Sequence, residues 1–388
     1  MRASKYKFYD TLTQNNRVLP FYAYLGSALN ETIFHQTTEP YEKLEKAASV
    51  WLFPSFFNFK LHHEDQIHIK HVPQHKITGY AIVTNKHDTL ETCMKAHYKK
   101  NFRANINRLI KRLETCFDVT YEMYYGTITK TNYQVIMMAL KQMLIARFNQ
   151  RGDTNQVLTH WESYYSSIYD LILEKKASIF VIYANNKLIH VCVNHHLKDI
   201  LFISIPSYNI NYHKFALGNI SIYKLLEWAI AHNYFMLDMA YGDLEYKRRW
   251  ANYFYTFEHH ILWQKNNLKQ ALIAKFEALI LQTKNKLKAI GFDDILKKIK
   301  RLKIKRSNLT TLPNYTIEKS FDLNMNLYDS INLSDNPVLE VLVCDFLYQT
   351  KDHISSIKLY KHKSANAVII TSKSSNCKIC FEEYLNLN

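Results

Sequence analysis

The sequence predicts an α/β fold. Three observations point there. Segments of helical and strand period interleave along the chain; the central block reads strand, strand, strand, helix, strand, helix, strand; and 47% of the 388 residues are hydrophobic, enough for a substantial core. At roughly 100–200 residues per domain, this length implies two or three structural units. Only 7 Gly and 7 Pro occur, which excludes collagen-like and polyproline architectures.

The stretch up to about residue 90 is mixed in pattern. Its opening, MRASKYKFYDTLTQNN, is polar and lacks the apolar core of a secretory signal. The apolar run Val50–Phe59, interrupted by Pro54, falls far short of the ~20 residues of a spanning helix. Ile77–Thr84 reads as a strand from its β-branched content. Leu90–Glu114 reads as one amphipathic helix: Phe102, Ile106, Leu109, Ile110 and Leu113 recur at helical spacing among Lys99, Lys100, Arg103, Arg108, Lys111 and Arg112. Phe117–Tyr125 is strand-like, and Asn132–Asn149 and Leu158–Lys175 are helical.

A β-meander begins at Ala177. Its first two strands flank Asn185-Asn186, a pair suited to the positive φ of a two-residue hairpin turn, and Lys198-Asp199 leads into Ile200–Tyr208. Gly218–His232 fits a helix with Ile220, Ile222, Leu225, Leu226 and Ala229 on its apolar face. The strand Tyr234–Ala240, the turn Tyr241-Gly242-Asp243, a short helix Leu244–Trp250 and the strand Thr256–Gln264 complete the block. Asn267–Arg306 is a helical stretch broken near Gly291. Beyond it, Tyr315–Leu323, Val338–Phe346, Ser355–His362 and Asn366–Ser372 read as strands of a small appendage.

Lys and Arg number 50 against 34 Asp and Glu, a net charge of +16 that implies an anionic partner: a nucleotide, nucleic acid or lipid headgroups. Six cysteines are too few for a disulfide scaffold in a chain this long, so a reducing, cytoplasmic setting is expected. Cys377 and Cys380 have CxxC spacing, but no second pair exists to complete a zinc site, and no metal is expected. The run Lys284–Arg306 is dense in Lys and Arg around Ile295, Ile299 and Leu302. That pattern fits an interfacial helix on an anionic membrane, an RNA-contacting helix, or a solvated basic face.

One block carries a resemblance. Tyr212, Gly218, Asp238, Gly242-Asp243, Tyr246-Lys247 and Trp250 follow in the order and spacing of a tyrosine, a Gly-bearing turn, a helix, a strand ending in Asp, a Gly-Asp turn and a Tyr-Lys pair before Trp. With the basic segment Tyr98–Glu114 upstream, this resembles the CelD/BcsL-type acetyltransferases of the GNAT superfamily, over about Ile77 to Trp263. It also resembles the FemX-like peptidyltransferases, in which two GNAT-like halves are fused. The phosphate loop departs from the family pattern: in His213–Gly218 only the final Gly is standard, and Leu217 stands where Pro is usual. The resemblance implies a GNAT fold in two halves and acyl-CoA, acetyl-CoA by default, as donor to an amine.

Residue chemistry yields candidates for each step. A Gly that opens a helix presents free N–H groups to an anion, so Gly218, Asn219, Ile220 and Ser221 are candidate pyrophosphate ligands, with His213 and Lys214 adding charge. The same Gly would equally serve a helix start that only relieves φ strain. Asp238, at the end of an apolar strand, would deprotonate or orient the acceptor amine, or else cap the following turn. Lys247 would stabilise an oxyanion or bind acceptor phosphate, or else be a surface lysine beside Arg248 and Arg249, and FemX-like proteins carry an aromatic-Lys pair here; Tyr246 would protonate the leaving thiolate or stack on substrate, with a core tyrosine as the plainer alternative. Alternation along Lys187–Leu197 sets His190, Cys192, Asn194 and His196 on one face and Ile189, Val191 and Val193 on the other. That makes His196 or His190 a candidate base, with satisfied structural histidines as the plainer alternative.

The expected organisation is therefore an N-terminal GNAT-like half (1–150), a C-terminal acyltransferase half (151–265), a basic helical segment (266–306) and a small α+β appendage (307–388). The expected activity is acyl transfer from acyl-CoA to an amine of an amino sugar, amino-lipid or similar acceptor. Its setting would be the cytoplasm, with the inner membrane face or tRNA reached through Lys284–Arg306. The alternatives are an aminoacyl-tRNA-dependent transferase of FemX type and a non-catalytic GNAT-fold module binding membrane or nucleic acid.

Overall fold

The computed structural model describes residues 2–15, 17–38, 44–84, 87–151, 156–290, 312–318, 321, 324–385 and 387. Runs rich in Val, Ile, Phe and Tyr, which suit a pleated and half-buried surface, pair into one nine-stranded sheet. In chain order its strands are β1 (Ser4–Lys7), β2 (Ala48–Pro54), β3 (Ile67–Val83), β4 (Val119–Tyr124), β5 (Ala177–Ala184), β6 (Lys187–Leu197), β7 (Ile200–Tyr208), β8 (Met236–Tyr241) and β9 (Tyr253–Gln264). Across the sheet they run β1-β2-β9-β3-β8-β7-β6-β5-β4. β1/β2 and β7/β8 are parallel, and every other neighbouring pair is antiparallel. The mixed α/β class is thus as expected, with β1–β3 and β9 in one half of the sheet and β4–β8 in the other.

Alternation along β5 and β6 sorts the core. Ile179, Val181, Val191 and Val193 meet the helices Lys130–Arg151 and Trp161–Leu173 on one face. Phe180, Ile182 and Cys192 meet Lys100–Cys116 and Leu217–Ala231 on the other. One expected position differs: Ile189 joins the Cys192 side rather than that of Val191 and Val193. The β5/β6 register skips there, pairing Ile182 with His190 but Tyr183 with Leu188, and the extra residue of a bulge flips the parity. Asn185 and Asn186 take the positive φ values expected of the hairpin, 49° and 61°.

Two further expectations are corrected. The single helix Leu90–Glu114 is two, Leu90–His97 and Lys100–Cys116, because Tyr98 turns extended and donates its hydroxyl to Trp250 O at 2.6 Å. The strand expected at Val338–Phe346 is a helix, Glu340–Thr350, entered through a single turn with Pro337 at its start. Leu342, Val343, Cys344, Phe346 and Leu347 are all buried, so its apolar run is near-continuous and carries no helical period. That helix packs on a five-stranded antiparallel sheet ordered Tyr315–Glu318, Asn376–Phe381, Ala367–Thr371, Lys358–His362, Tyr328–Ile331. Cys377 and Cys380 sit three apart on one of its strands and so face opposite sides.

The boundary expected at 150 falls at the end of helix Lys130–Arg151, whose buried side covers β5–β7. The helical stretch after β9 is described as Leu268–Ala289; Lys297, Lys298, Lys300 and Arg301, with the rest of the basic run to Arg306, lie outside the described residues. No described helix is long and apolar enough to cross a membrane.

Burial on β6 has a consequence for stability. It lowers the pKa of His190 to about 3, of His195 to about 4 and of His196 to about 3. The unfolded chain, whose histidines titrate near 6.5, therefore takes up protons first as pH falls, and folding stability is lost below that value. Each histidine contributes about 1.4 kcal/mol per pH unit until its folded value is reached. Tm should be level above about pH 6.5 and fall steeply towards pH 4; a level curve through pH 5 would contradict this burial.

Candidate active site

The parallel strands β7 and β8 pair only at Ile200↔Met236, Leu201↔Leu237 and Phe202↔Asp238. Beyond Phe202 and Asp238 they part, for reasons local to each strand. β7 carries a register skip between Ile203 and Ile205 and then Pro206, which has no N–H to donate. β8 shifts register against β3 between Asp238 and Tyr241, with Ala240 at φ 59°. Two cavities of about 180 and 240 Å³ fill the gap and share Ile203, Pro206, Met239 and Tyr246 as walls. Each alone is below the ~300–1,000 Å³ of a typical ligand pocket, a size they reach only as one channel through the sheet.

The start of helix Leu217–Ala231 forms the mouth of the first cavity, with Gly218, Asn219 and Ser221 lining it beside Arg147, His190 and Tyr208. The left-handed residue here is Ala216 (φ 53°), so Gly218 does not serve to relieve φ strain. Its value is space: a Cβ at 218 would meet nothing within 4 Å. The amides of Asn219 and Ile220 close onto Ala216 O at 2.8 and 3.4 Å, and Asn219 Oδ1 accepts from Trp250 Nε1 at 2.9 Å. The Ile220 side chain lies in the core rather than the cavity.

His213 and Lys214 are directed elsewhere. Lys214 Nζ lies 2.8 Å from Asp345 Oδ2, and His213 Nε2 lies 3.8 Å from Asp345 Oδ1, both on helix Glu340–Thr350. The cation that lines the cavity is Arg147, whose guanidinium sits 4.9 Å from the Tyr208 ring centroid. Residue spacing held a signal for it: Arg147 and Arg151 stand one turn apart at the end of their helix.

The second cavity is lined by Tyr9, Asp10, Ser204, Tyr241, Tyr246 and Lys247. Lys247 is buried, donates from Nζ to Tyr241 O at 2.7 Å, and has its pKa pushed down to about 8 by burial against the pull of Asp238. Burial likewise raises the pKa of Tyr246, a residue that lines both cavities. Asp238 is fully buried and lines neither cavity. It accepts from the Tyr9 hydroxyl at 3.0 Å, from the Tyr255 hydroxyl at 2.8 Å and from Ala240 N at 2.7 Å. Desolvation lifts its pKa to about 6 despite those donors, of which Tyr255 lowers it most. Asp238 therefore reaches the cavity through Tyr9, a residue that no local pattern singles out, since the pair is 229 positions apart.

The histidines of β6 divide. His190 lines the first cavity with its Nδ1 buried and unpartnered. His195 Nδ1 lies 2.7 Å from Ser204 Oγ, a contact behind the second cavity that the sequence reading missed. His196 lines neither cavity: Nδ1 is 2.7 Å from the Tyr234 hydroxyl, Nε2 is 2.8 Å from Ser178 Oγ, and Tyr125 and Trp228 pack around the ring.

Comparison with known proteins places this half of the sheet. Residues 100–248, less than half of the chain, match the family described as "Acetyltransferase (GNAT) domain". No curated protein matches. A conserved protein of unknown function from Bacteroides thetaiotaomicron VPI-5482 is similar over 52% of this chain and 64% of its own, at 10% identity and a TM-score of 0.38. FemX is similar over 47% of this chain and 61% of its own, at 8% identity and a TM-score of 0.36. A tandem GNAT protein from the clavulanic acid biosynthesis pathway is similar over 57% of this chain and 65% of its own, at 8% identity and a TM-score of 0.28. The chain spans under two thirds of the length of each of these three proteins. The parted β7/β8 pair lies inside residues 100–248, the segment that is similar to a GNAT-type acetyltransferase domain.

Proposed function

We propose that the protein transfers an acyl group, acetyl by default, from acyl-CoA to an amine, in the manner of the CelD/BcsL-type enzymes it resembles. The observation that carries this reading is the channel between β7 and β8, with an anion-compatible mouth at Gly218 and Arg147 and a proton-handling one at Tyr9, Tyr246 and Lys247. The residues fit the donor: Gly218 leaves its side-chain space empty, and Arg147 supplies the cation that His213 and Lys214, engaged by Asp345, do not. Ser221 and Asn219 would border the pyrophosphate.

In the reaction the amine nitrogen bonds to the thioester carbon, the C–S bond breaks, one proton leaves the amine and one reaches the thiolate. The Tyr9 hydroxyl donates to Asp238, so in this scheme its oxygen takes the amine proton as its own proton is held by the carboxylate. The amine proton passes to Tyr9 as the Tyr9 proton passes to Asp238. Asp238 is thus a positioning and proton-holding residue, and Lys247, as the ammonium, stabilises the oxyanion. Tyr246, at the junction of the two cavities, protonates the thiolate. His196, with both ring nitrogens engaged away from the channel, has no step in this scheme.

The helix Leu268–Ala289 supports an acceptor held at an anionic membrane. Leu268, Leu272, Phe276 and Leu279 are 83%, 69%, 65% and 59% exposed and form one stripe, opposite the buried Ala274, Ala278 and Leu281. Exposed Lys269, Lys275 and Lys286 flank that stripe. An apolar stripe rimmed by lysines suits shallow insertion among acidic headgroups, and of the acceptors considered it favours an amino-lipid.

Four outcomes test this reading. Gly218→Glu should fold normally and lose CoA binding at least tenfold in calorimetry, because its carboxylate would enter the donor mouth; unchanged affinity would remove that mouth. Turnover should follow a bell between about pH 6, where Asp238 protonates, and about pH 8, where Lys247 deprotonates. Lys247→Met should lower kcat roughly 100-fold, and Asp238→Asn should lower kcat and abolish the acid limb; a fold-only role would leave the limb in place. Leu272→Glu with Phe276→Glu should release the protein from anionic vesicles in co-sedimentation without changing turnover of a water-soluble acceptor. Retained vesicle binding, or a gel shift showing that the pair removes tRNA binding instead, would overturn the membrane reading.

A further inference from the structure

A second cluster of ionisable side chains lies outside the channel, on the paired strands β3 and β9. Their register sets His71 directly opposite His260, and Glu258, two residues before His260, falls on the same face. One ligand atom from each of the three lies within 4.8 Å of the others. His71 Nδ1 is 2.9 Å from Glu258 Oε2, and His260 Nε2 is 3.6 Å from the same oxygen, too long for a hydrogen bond. His260 is fully buried, and its Nε2 has no hydrogen-bond partner. A buried ring nitrogen turned towards a carboxylate and a second imidazole, and bonded to neither, is costly unless something else occupies the space between them.

We propose that His71 Nδ1, Glu258 Oε2 and His260 Nε2 form a binding site for one divalent transition-metal ion of the zinc class. The donor set, two imidazoles and a carboxylate, is of the kind that holds zinc with its fourth position left to water. Metal–ligand bonds of ~2.0–2.2 Å in tetrahedral geometry set donor atoms about 3.4 Å apart, close to the spacings already present. The fourth position opens outward, since the His71 and Glu258 side chains are 46% and 35% exposed.

The surroundings complete the site. His260 Nδ1 lies 2.8 Å from the Tyr22 hydroxyl, so with Nε2 on the metal the Nδ1–H donates to that oxygen and the tautomer and ring orientation are fixed. Phe53 and Phe59 pack on the His260 ring at centroid distances of 4.2 and 4.8 Å and exclude water from its inner side. None of the three ligands lines either cavity of the acyl channel. Tyr22 and Phe59 belong to the small sheet of Ile33–Gln36, Tyr22–Ser27 and Phe57–Leu61, so a bound ion would tie that sheet to the large one.

The test uses the full chain, stripped of metal by chelation and titrated with Co²⁺, whose visible spectrum reports coordination, and then with Zn²⁺ in competition. One equivalent should bind with a tetrahedral-type Co²⁺ spectrum and a rise in Tm. His71→Ala and Glu258→Gln, changes at half-exposed positions, should remove that equivalent while circular dichroism stays native. Tyr22→Phe, which keeps the ring and loses only the hydroxyl, should weaken binding about tenfold. If the wild type takes up no Co²⁺ or Zn²⁺, or if folded His71→Ala and Glu258→Gln bind as the wild type does, the three residues are only a hydrogen-bonded strand clamp and the proposal fails.

Discussion

The burial of one carboxylate holds the active half of this protein in place. Removing a charged group from water costs several kcal/mol unless donors replace the solvent. Asp238 meets that demand with three donors drawn from three parts of the chain: Tyr9 just after β1, Ala240 on its own strand and Tyr255 on β9. Tyr255 can reach it because its cross-strand partner is Gly79, where any Cβ would stand 2.0 Å from the Tyr255 ring. The result is a fixed point at the last position where β8 pairs with β7, beyond which the two strands part and the channel opens. Tyr9 and Tyr255, both outside residues 100–248, supply two of its three donors.

The same desolvation sets the electrical state of the channel. It pushes Lys247 down and Asp238 up, each towards its neutral form, although their mutual attraction opposes both shifts. Two groups whose titrations are drawn into the neutral range need only small changes in environment to exchange protons with a substrate. The histidines of β6 are driven well below neutrality by burial, and of the three only His190 lines a cavity, as an uncharged wall. Charge around the start of helix Leu217–Ala231 is arranged by helix Glu340–Thr350 as well. Glu340 accepts from Asn211 and Tyr212, and Asp345 takes Lys214, so the loop leading into helix Leu217–Ala231 is clamped from outside and its basic residues point away from the channel.

What could be read from residue order follows from what each signal measures. Alternation and turn residues are local, so β5 through β9, the Asn185-Asn186 hairpin and the helix opening at Gly218 were legible, as were Tyr246 and Lys247 as channel residues. Asp238 is legible as the polar end of an apolar strand but not in its contacts, because its partners Tyr9 and Tyr255 come from pairings that no window of sequence contains. His213 and Lys214 misled for a related reason: basic residues before a helix suit an anion, yet Asp345, more than a hundred positions away, competes for them. The helix Glu340–Thr350 was misread because burial on several sides erases the 3.6-residue period on which helix recognition rests. Ile189 was misread because a bulge shifts parity without leaving a compositional mark.

The order of strands carries one more consequence. β9, the last strand of the large sheet, lies between β2 and β3, so the N-terminal half cannot close its sheet until residues 253–264 have been made. Residues 100–248, the segment that matches the GNAT domain, contain neither Tyr9 nor Tyr255. Cut out alone, they would leave Asp238 buried with a single backbone donor, and β8 would lose β3, its neighbour on the open side. An uncompensated buried carboxylate and an unpaired central strand are each destabilising by several kcal/mol. The matched segment and the cooperative folding unit therefore do not coincide: Asp238 lies inside residues 100–248, while its side-chain donors and the strand β3 beside it come from the chain on either side.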